Sequence, residues 1–166
     1  MDLIGLANCK GLLLGLYVSY LIWAGVFLYN LAEDTGAIGE MAAGFKALTG
    51  DDLLQILLVG WTFVSFLQGI AGFGVPVAVV GPMLISLGLQ PLAAASIALL
   101  GHAWAVTFGS MATSFLTLVL VTGLNPPGLA HWSALLLGVA CVATGISVSY
   151  MYGGTEAMRR GLPVVA

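Results

Sequence analysis

A glycine-rich stretch, FLQGIAGFGVPVAV at residues 66–79, is the part of the sequence best suited to binding a small ligand. Gly69, Gly72 and Gly74 permit positive φ angles and close approach of the backbone to a ligand. Pro76 suits the first turn of a helix that continues beyond it. The free N–H groups and the positive end of that helix would attract an anion. The stretch therefore predicts an anion site, and a glycine kink that only lets helices pack closely is the alternative.

Polar side chains on both sides of this stretch add hydrogen-bonding capacity. Between residues 53 and 155 the sequence has no Asp, Glu, Lys or Arg, so a bound anion there would meet no Lys or Arg. Gln68 precedes the first glycine, and a second polar patch, TFGSMATS at residues 107–114, sets hydroxyl groups around a glycine. The residues of this patch that matter are Thr107, Gly109, Ser110, Thr113 and Ser114. Their hydroxyls and the Gln68 amide would bind an anion without a fixed charge that slows its release.

His102 is the titratable side chain in the middle of the charge-free run. An ordinary histidine pKa of about 6.5 suits the uptake and release of a proton near neutral pH. Ionisable groups inside a membrane are costly and are often functional, which favours a proton-coupling role. The equally weighted alternative is a hydrogen-bonded histidine close to the membrane surface.

Several classes of function are excluded by residues that the sequence lacks. Cys9 and Cys141 are far apart without a CxxC motif, so neither a disulfide framework nor a zinc site is expected. No paired carboxylates and no Ser or Cys with a credible base occur, so we expect no enzyme, no catalytic residue, no metal and no cofactor. The glycine spacing G-x-x-G-x-G is not the dinucleotide motif G-x-G-x-x-G. Four basic against seven acidic residues exclude a nucleic-acid partner.

The composition places the chain in a lipid bilayer. Hydrophobic residues make up 60% of the sequence, charged residues only 7%, and the mean hydropathy is +1.09. Soluble domains carry about 25% charged residues. Because unpaired backbone groups in lipid cost several kcal/mol each, the spanning segments must be helices. The predicted fold class is an all-α integral membrane protein.

The hydrophobic pattern divides this single membrane domain, residues 1–166, into segments of unequal length. Residues 53–68 and 77–87 would form helices of roughly 24 and 16 Å, short of a hydrocarbon core of about 30 Å. They therefore predict a re-entrant hairpin with a broken tip. The predicted segments are a transmembrane helix at 11–32, an interfacial amphipathic helix at 36–49, the hairpin at 53–88 with its tip at 69–76, a broken transmembrane helix at 92–122, and a transmembrane helix at 129–153 with Gly145, Ser149 and Gly153 on one small-residue face.

The positive-inside rule leaves two orientations open. If the hairpin enters and leaves on one side, Lys46, Arg159 and Arg160 share a side and Lys10 is opposite. If residues 53–87 cross once, Lys10 joins the two arginines and Lys46 is opposite. Both arrangements divide the basic residues three to one, and segment length favours the hairpin.

Three stretches of the chain together resemble the L-lactate permease family. They are FLQGIAGFGVPVAV at residues 66–79, LGLQPLAAASIALLGHAWAVTFGSMATS at 87–114, and the segment 23–36, which ends in LAEDTG. The resemblance implies a partial ion-transporter-type fold, with re-entrant hairpins whose tips bind substrate. It implies a hairpin tip formed by Gly69, Gly72, Phe73, Gly74 and Pro76, and a second unwound patch at Thr107, Gly109 and Ser110. Relatives often carry a glutamate where this chain has Gln68, so that carboxylate proton carrier is absent.

The resemblance also implies a function, namely secondary transport of a small 2-hydroxycarboxylate such as L-lactate or glycolate with protons. It implies a multi-pass protein of the cell (plasma) membrane, whose partners are the substrate, the proton and the lipid bilayer. Because family members are much longer, we expect an internal portion of a longer permease, completed by a homo-oligomer or by complementary permease segments. A truncated or non-transporting membrane scaffold is the alternative.

Overall fold

The computed structural model describes residues 3–70, 72 and 74–166, and the regular structure in this part of the chain is entirely helical. This confirms the all-α fold class. The helices are α1 (Leu3–Asp34), α2 (Ala37–Leu48), α3 (Asp52–Leu57), a π-helical segment (Leu58–Phe63), α4 (Val64–Ile70), α5 (Val75–Ser86), α6 (Pro91–His102), a 3-10 turn (Ala103–Ala105), α7 (Gly109–Thr122) and α8 (Pro126–Val165).

The helices α3 and α4 join through the π segment into one continuous helix, Asp52–Ile70. Asp51 caps its start, because one carboxylate oxygen accepts hydrogen bonds from the N–H groups of Leu53 and Leu54 at 2.9 and 3.2 Å. The sequence predicted 16 helical residues at 53–68, whereas the structure has 19. At about 1.5 Å per residue the helix is roughly 28 Å long.

The chain reverses after Ile70, and α5 returns antiparallel to the helix it follows. Gly60 and Leu84 mark the antiparallel contact, since a Cβ added at Gly60 would lie 3.4 Å from Leu84 Cδ1. α6 then packs on the same place, where the added Cβ would lie 2.6 Å from Ile97 Cγ2. A Cβ on Gly101 would collide with the Gly60 carbonyl oxygen. Two glycines thus let three helices approach at one point.

The apolar run at 92–122 consists of two helices in the structure. α6 ends at His102, the 3-10 turn follows, and α7 begins at Gly109. Ser110 and Ala112, in the first turn of α7, have φ angles of 51° and 61°. Residues other than glycine rarely adopt these φ angles, so the backbone is strained here. The interruption thus begins before the polar patch at 107–114 and runs into it.

The last helix, α8, turns back on itself at two glycines. Gly153 and Gly154 have non-helical backbone angles, and residues 155–165 fold back against 145–153. The contacts that define this antiparallel packing are Gly145 with Val165, Ser149 with Gly161, and Gly153 with Ala157. The small-residue face predicted on this helix is the surface that residues 155–165 cover. The fold-back places Arg160 beside Asp51, with which it forms an ion pair.

Large apolar side chains remain exposed around a buried core. The core comprises residues of α3, the π segment, α4, α5, α6 and the second half of α8, with Ile56, Met83, Leu84 and Ile97 among its largest members. Trp23 of α1 is 79% exposed and Leu136 of α8 is 72% exposed. Within the described residues, two helices, Asp52–Ile70 and Pro126–Val165, are long and apolar enough to cross a membrane. The chain is a membrane protein whose apolar surface faces lipid or further protein.

Candidate functional site

The two interruptions of the helices meet at Gly72 and Ser110. Gly72 has a φ of +63°, and a Cβ placed on it would collide with the Ser110 hydroxyl oxygen. Ser110 itself has a left-handed backbone conformation. The Ser110 side chain therefore lies directly against the Gly72 backbone, at a point where both residues have positive φ. The structure therefore brings together Gly72 and Ser110, which the sequence proposed for the hairpin tip and for the second unwound patch.

Gly74 and Pro76 shape the start of α5. Gly74 precedes the helix with a φ of 85°, and Pro76 lies buried in the first turn. The N–H of Val75 donates to the Gly72 carbonyl oxygen at 3.1 Å, and proline carries no N–H. Two of the first helical positions thus offer no free donor. The start of α5 therefore offers an anion fewer free N–H groups than the sequence predicted. More of the hydrogen bonds to an anion would have to come from the surrounding side chains.

Gln68 connects the hairpin with the start of α7. Its side chain is only 5% exposed, and a Cβ added at Gly109 would lie 2.8 Å from its amide nitrogen Nε2. Gly109 is therefore needed for the close packing of α4 on α7. The amide oxygen Oε1 of Gln68 is buried and has no hydrogen-bond partner among the described residues. Because buried polar atoms are nearly always paired, this oxygen is an acceptor that still requires a donor.

A cavity of about 330 Å³ adjoins the hairpin at Gly69. Trp104 lines it together with mainly apolar neighbours. The Trp104 indole Nε1–H is buried, and no described residue accepts its hydrogen bond. Trp61, whose ring centroid lies 6.5 Å away, differs because its Nε1–H donates to Thr144 Oγ1 at 3.2 Å. Trp104 follows Gly69 by 35 positions in the sequence, and only the fold places it beside the tip.

The remaining predicted residues are placed less centrally. His102, half-buried at the end of α6, holds its Nδ1 3.0 Å from the Ala98 carbonyl oxygen. Thr107 is half-buried between the 3-10 turn and α7. Thr113 is exposed and donates to the Ser110 carbonyl oxygen at 2.6 Å, and Ser114 is exposed. Phe73 lies outside the described residues. No three His, Cys, Asp or Glu side chains within the described ranges come together as metal ligands.

A second cavity, of about 430 Å³, lies at the opposite end of the hairpin from Gly72. Its lining is more polar and includes Lys46, Asp52, Gln55, Gln90 and Tyr152. These residues come from the end of α2, from α3, from the loop before α6, and from α8 just before its two glycines. This end of the helices also carries the ion pair of Asp51 and Arg160. The two ends of the hairpin therefore differ in charge.

Known proteins resemble the chain over much of its length. The sequence model of the L-lactate permease family matches residues 1–166. The glycolate permease of Escherichia coli K12 is 37% identical over 127 residues, 76% of this chain and 23% of that protein. The L-lactate permease of Salmonella typhimurium LT2 is 39% identical over 69% of this chain and 21% of that protein. That of Streptococcus iniae is 35% identical over 82% and 29%, respectively.

These alignments cover only part of each relative. The chain spans between about a fifth and three tenths of the length of these three permeases. No solved structure matches it.

Proposed function

The chain belongs to the L-lactate permease family, and we propose that it forms part of a transporter for small 2-hydroxycarboxylates such as L-lactate and glycolate. In this role it is a multi-pass segment of the cell membrane and not an enzyme. It moves the substrate together with protons. Two of the similar proteins are named for L-lactate and one for glycolate. Both molecules carry a carboxylate with a hydroxyl on the adjacent carbon.

The observation that carries this proposal is the contact between the two broken helices at Gly72 and Ser110. Irregular backbone at membrane depth is tolerated where it is buried in protein or lines a polar path. In transporters with discontinuous helices, such breaks lie at the substrate site. The proposed site comprises Gln68, Gly69, Gly72, Phe73, Gly74, Pro76, Thr107, Gly109 and Ser110.

We propose that helices Asp52–Ile70 and α5 form a re-entrant hairpin, with spanning segments at 11–32, 92–122 and 129–153 and an interfacial helix at 36–49. The support is the antiparallel packing of Leu84 on Gly60 and the charged residues at the hairpin base, Asp51 and Asp52. α5 has 12 residues, roughly 18 Å, and is too short to cross a core of about 30 Å. Asp52–Ile70, by contrast, is roughly 28 Å long and nearly matches that core, so it is the length of α5 that favours the hairpin. In this arrangement residues 69–76 lie toward the far side of the membrane.

We propose that His102 carries the coupled proton. A backbone carbonyl only accepts hydrogen bonds, so the contact with Ala98 requires a proton on Nδ1. The other ring nitrogen, Nε2, then gains and loses the transported proton. His102 lies at the end of α6, immediately before the interruption that leads to Ser110. Protonation there can affect the backbone that contacts Gly72.

Uptake of radiolabelled L-lactate and glycolate into proteoliposomes tests the function. Two samples are compared under an inward proton gradient, with an uncoupler control: the chain alone, and a chimaera in which it replaces the matching segment of the Escherichia coli K12 glycolate permease. Uncoupler-sensitive accumulation by the chain alone supports transport by an oligomer. Accumulation by the chimaera alone supports a site completed by other permease segments. No accumulation by either inserted protein contradicts the proposal and favours the scaffold alternative.

A further inference from the structure

Two buried polar atoms near the hairpin tip lack partners among the described residues, and they are of opposite kinds. Gln68 Oε1 is an acceptor, and Trp104 Nε1–H is a donor. We propose that these two atoms select 2-hydroxycarboxylates: Trp104 donates to the substrate carboxylate and Gln68 accepts from its 2-hydroxyl. This assignment rests on the transport function proposed above and adds the residues that set its specificity.

The environment of Gln68 holds its amide in place. The side chain is buried between α4 and the start of α7, and Gly109 leaves space for its nitrogen Nε2. This packing restricts the movement of the amide, so a ligand hydroxyl meets an acceptor that is already held near the tip. A ligand without a hydroxyl would leave that oxygen unpaired. Leaving a buried acceptor unpaired is more costly than losing an exposed hydrogen bond.

The environment of Trp104 suits the remainder of the ligand. Trp104 and Gly69 line one cavity of about 330 Å³, the lower end of the size range of small-molecule sites. Phe108, Leu137 and Cys141 give that cavity an apolar wall. An indole N–H only donates, so its partner must be an acceptor such as a carboxylate oxygen. The apolar wall can receive the methyl group by which lactate differs from glycolate.

The two residues belong to segments that contact each other, α4 and the 3-10 turn, although they are far apart in sequence. Gln68 precedes Gly69, which lines the cavity with Trp104. Gln68 also packs on Gly109, which follows Trp104 by five positions. Both groups are neutral, as are all side chains between residues 53 and 155 apart from histidine. Hydrogen bonds from neutral groups hold an anion less tightly than an ion pair does, and this permits rapid release during transport.

Competition for labelled glycolate uptake by the chimaera tests the assignment. Unlabelled L-lactate and propionate serve as the two competitors. Propionate is chosen because it is lactate without the 2-hydroxyl. In Gln68→Leu we expect the preference for L-lactate over propionate to fall about tenfold, the size of one hydrogen bond of about 1.4 kcal/mol. In Trp104→Phe we expect both inhibition constants to rise by a similar factor, because both ligands carry a carboxylate. Gln68→Glu keeps an acceptor oxygen and should retain the preference.

Matched controls separate these roles from general damage. Trp61→Phe removes an indole N–H that Thr144 already accepts, and Gln55→Leu removes a buried amide at the hairpin base whose Nε2 donates to the Thr49 carbonyl oxygen. Both controls should keep the wild-type preference, with the amount of membrane-inserted protein measured in each sample. An unchanged preference in Gln68→Leu, or unchanged constants in Trp104→Phe, overturns the assignment while transport stands. Failure of both the unmutated chimaera and the chain alone to take up glycolate overturns the proposed function itself.

Discussion

At the scale of single residues, Gly72 is constrained in two ways at once. Its φ of +63° lies in the left-handed region, and the Ser110 hydroxyl occupies the space that a side chain would need. Gly36 has a similar φ of +74° but has open space around it. The two glycines therefore separate the cost of backbone strain from the cost of displacing Ser110.

Gly72→Ala is expected to abolish uptake by the chimaera while the protein still inserts into the membrane. The added methyl group must push Ser110 away and separate the two helix interruptions. Gly36→Ala adds only the left-handed strain, about 1–2 kcal/mol, and should keep most uptake. The measurement is initial uptake rate per inserted protein. Equal rates for the two variants would refute a special role for Gly72.

His102→Gln is expected to make uptake insensitive to an imposed proton gradient while substrate still exchanges across the membrane. Glutamine retains hydrogen-bonding capacity but cannot be protonated near neutral pH. His131 is exposed beside Trp132, and His131→Gln should leave gradient-driven accumulation intact. Accumulation and exchange are measured in the same proteoliposomes. Full gradient-driven accumulation in His102→Gln would remove this residue from the coupling mechanism.

At the scale of helices, close contacts between glycines set the packing around the hairpin. Gly60 and Gly101 bring the π segment and α6 into backbone contact, and the Ser65 hydroxyl lies 2.9 Å from the Gly101 carbonyl oxygen. Small residues permit such approaches within membranes, where apolar side chains gain little from leaving lipid. These helices are therefore expected to be more sensitive to added volume than α2.

Gly101→Val should lower the thermal stability of the chain in detergent and reduce the amount of folded protein. A side chain at Gly101 meets the Gly60 carbonyl and Val64 Cγ1, and overpacking of this kind costs about 1–3 kcal/mol. Gly44→Val in α2 has open space and serves as the matched control. Thermal unfolding followed by circular dichroism gives the comparison. A midpoint for Gly101→Val at or above that of Gly44→Val would contradict the packing argument.

The start of α3 allows a second stability test. Asp51 accepts two backbone N–H groups and pairs with Arg160, whose side chain is exposed. Asp51→Ala removes both the helix cap and the ion pair, and the loss of the cap alone should destabilise by about 1 kcal/mol. Arg160→Ala should cost less, because exposed ion pairs contribute about 0–1 kcal/mol. Denaturation of both variants in detergent gives the comparison. An equal loss for Arg160→Ala and Asp51→Ala would show that the ion pair, and not the cap, accounts for the stabilisation.

At the scale of the whole molecule, part of the architecture could be predicted from sequence. The low charge and the turn residues between 69 and 76 were enough to predict helices and a chain reversal. The meeting of Gly72 with Ser110 could not be predicted, because it depends on how α4 and α7 pack in three dimensions. The position of Trp104 beside Gly69 could not be predicted for the same reason. The fold-back after Gly153 depends on contacts between residues far apart along α8.

The membrane topology is a prediction at this scale. In a background without Cys9 and Cys141, we introduce Asp52→Cys, Gln90→Cys and Leu124→Cys, all at exposed positions. A re-entrant hairpin requires the first two to react with a membrane-impermeant maleimide from one side, and the third from the other side. Labelling is carried out on intact cells and on inverted vesicles. Reaction of Asp52→Cys and Gln90→Cys from opposite sides would establish a single crossing instead.

The π-helical segment Leu58–Phe63 fixes the rotational phase of the hairpin tip. A π turn accommodates one residue more than an α-helical turn, and each residue of an α-helix advances the side chains by about 100°. The side chains beyond Phe63 are therefore rotated about the helix axis by about 100°, relative to their directions in a regular α-helix that starts at Asp52. Deleting one residue here would carry the Gln68 amide around the axis and away from Gly109. A single extra residue, distant from the ligand, thus determines which way the tip faces.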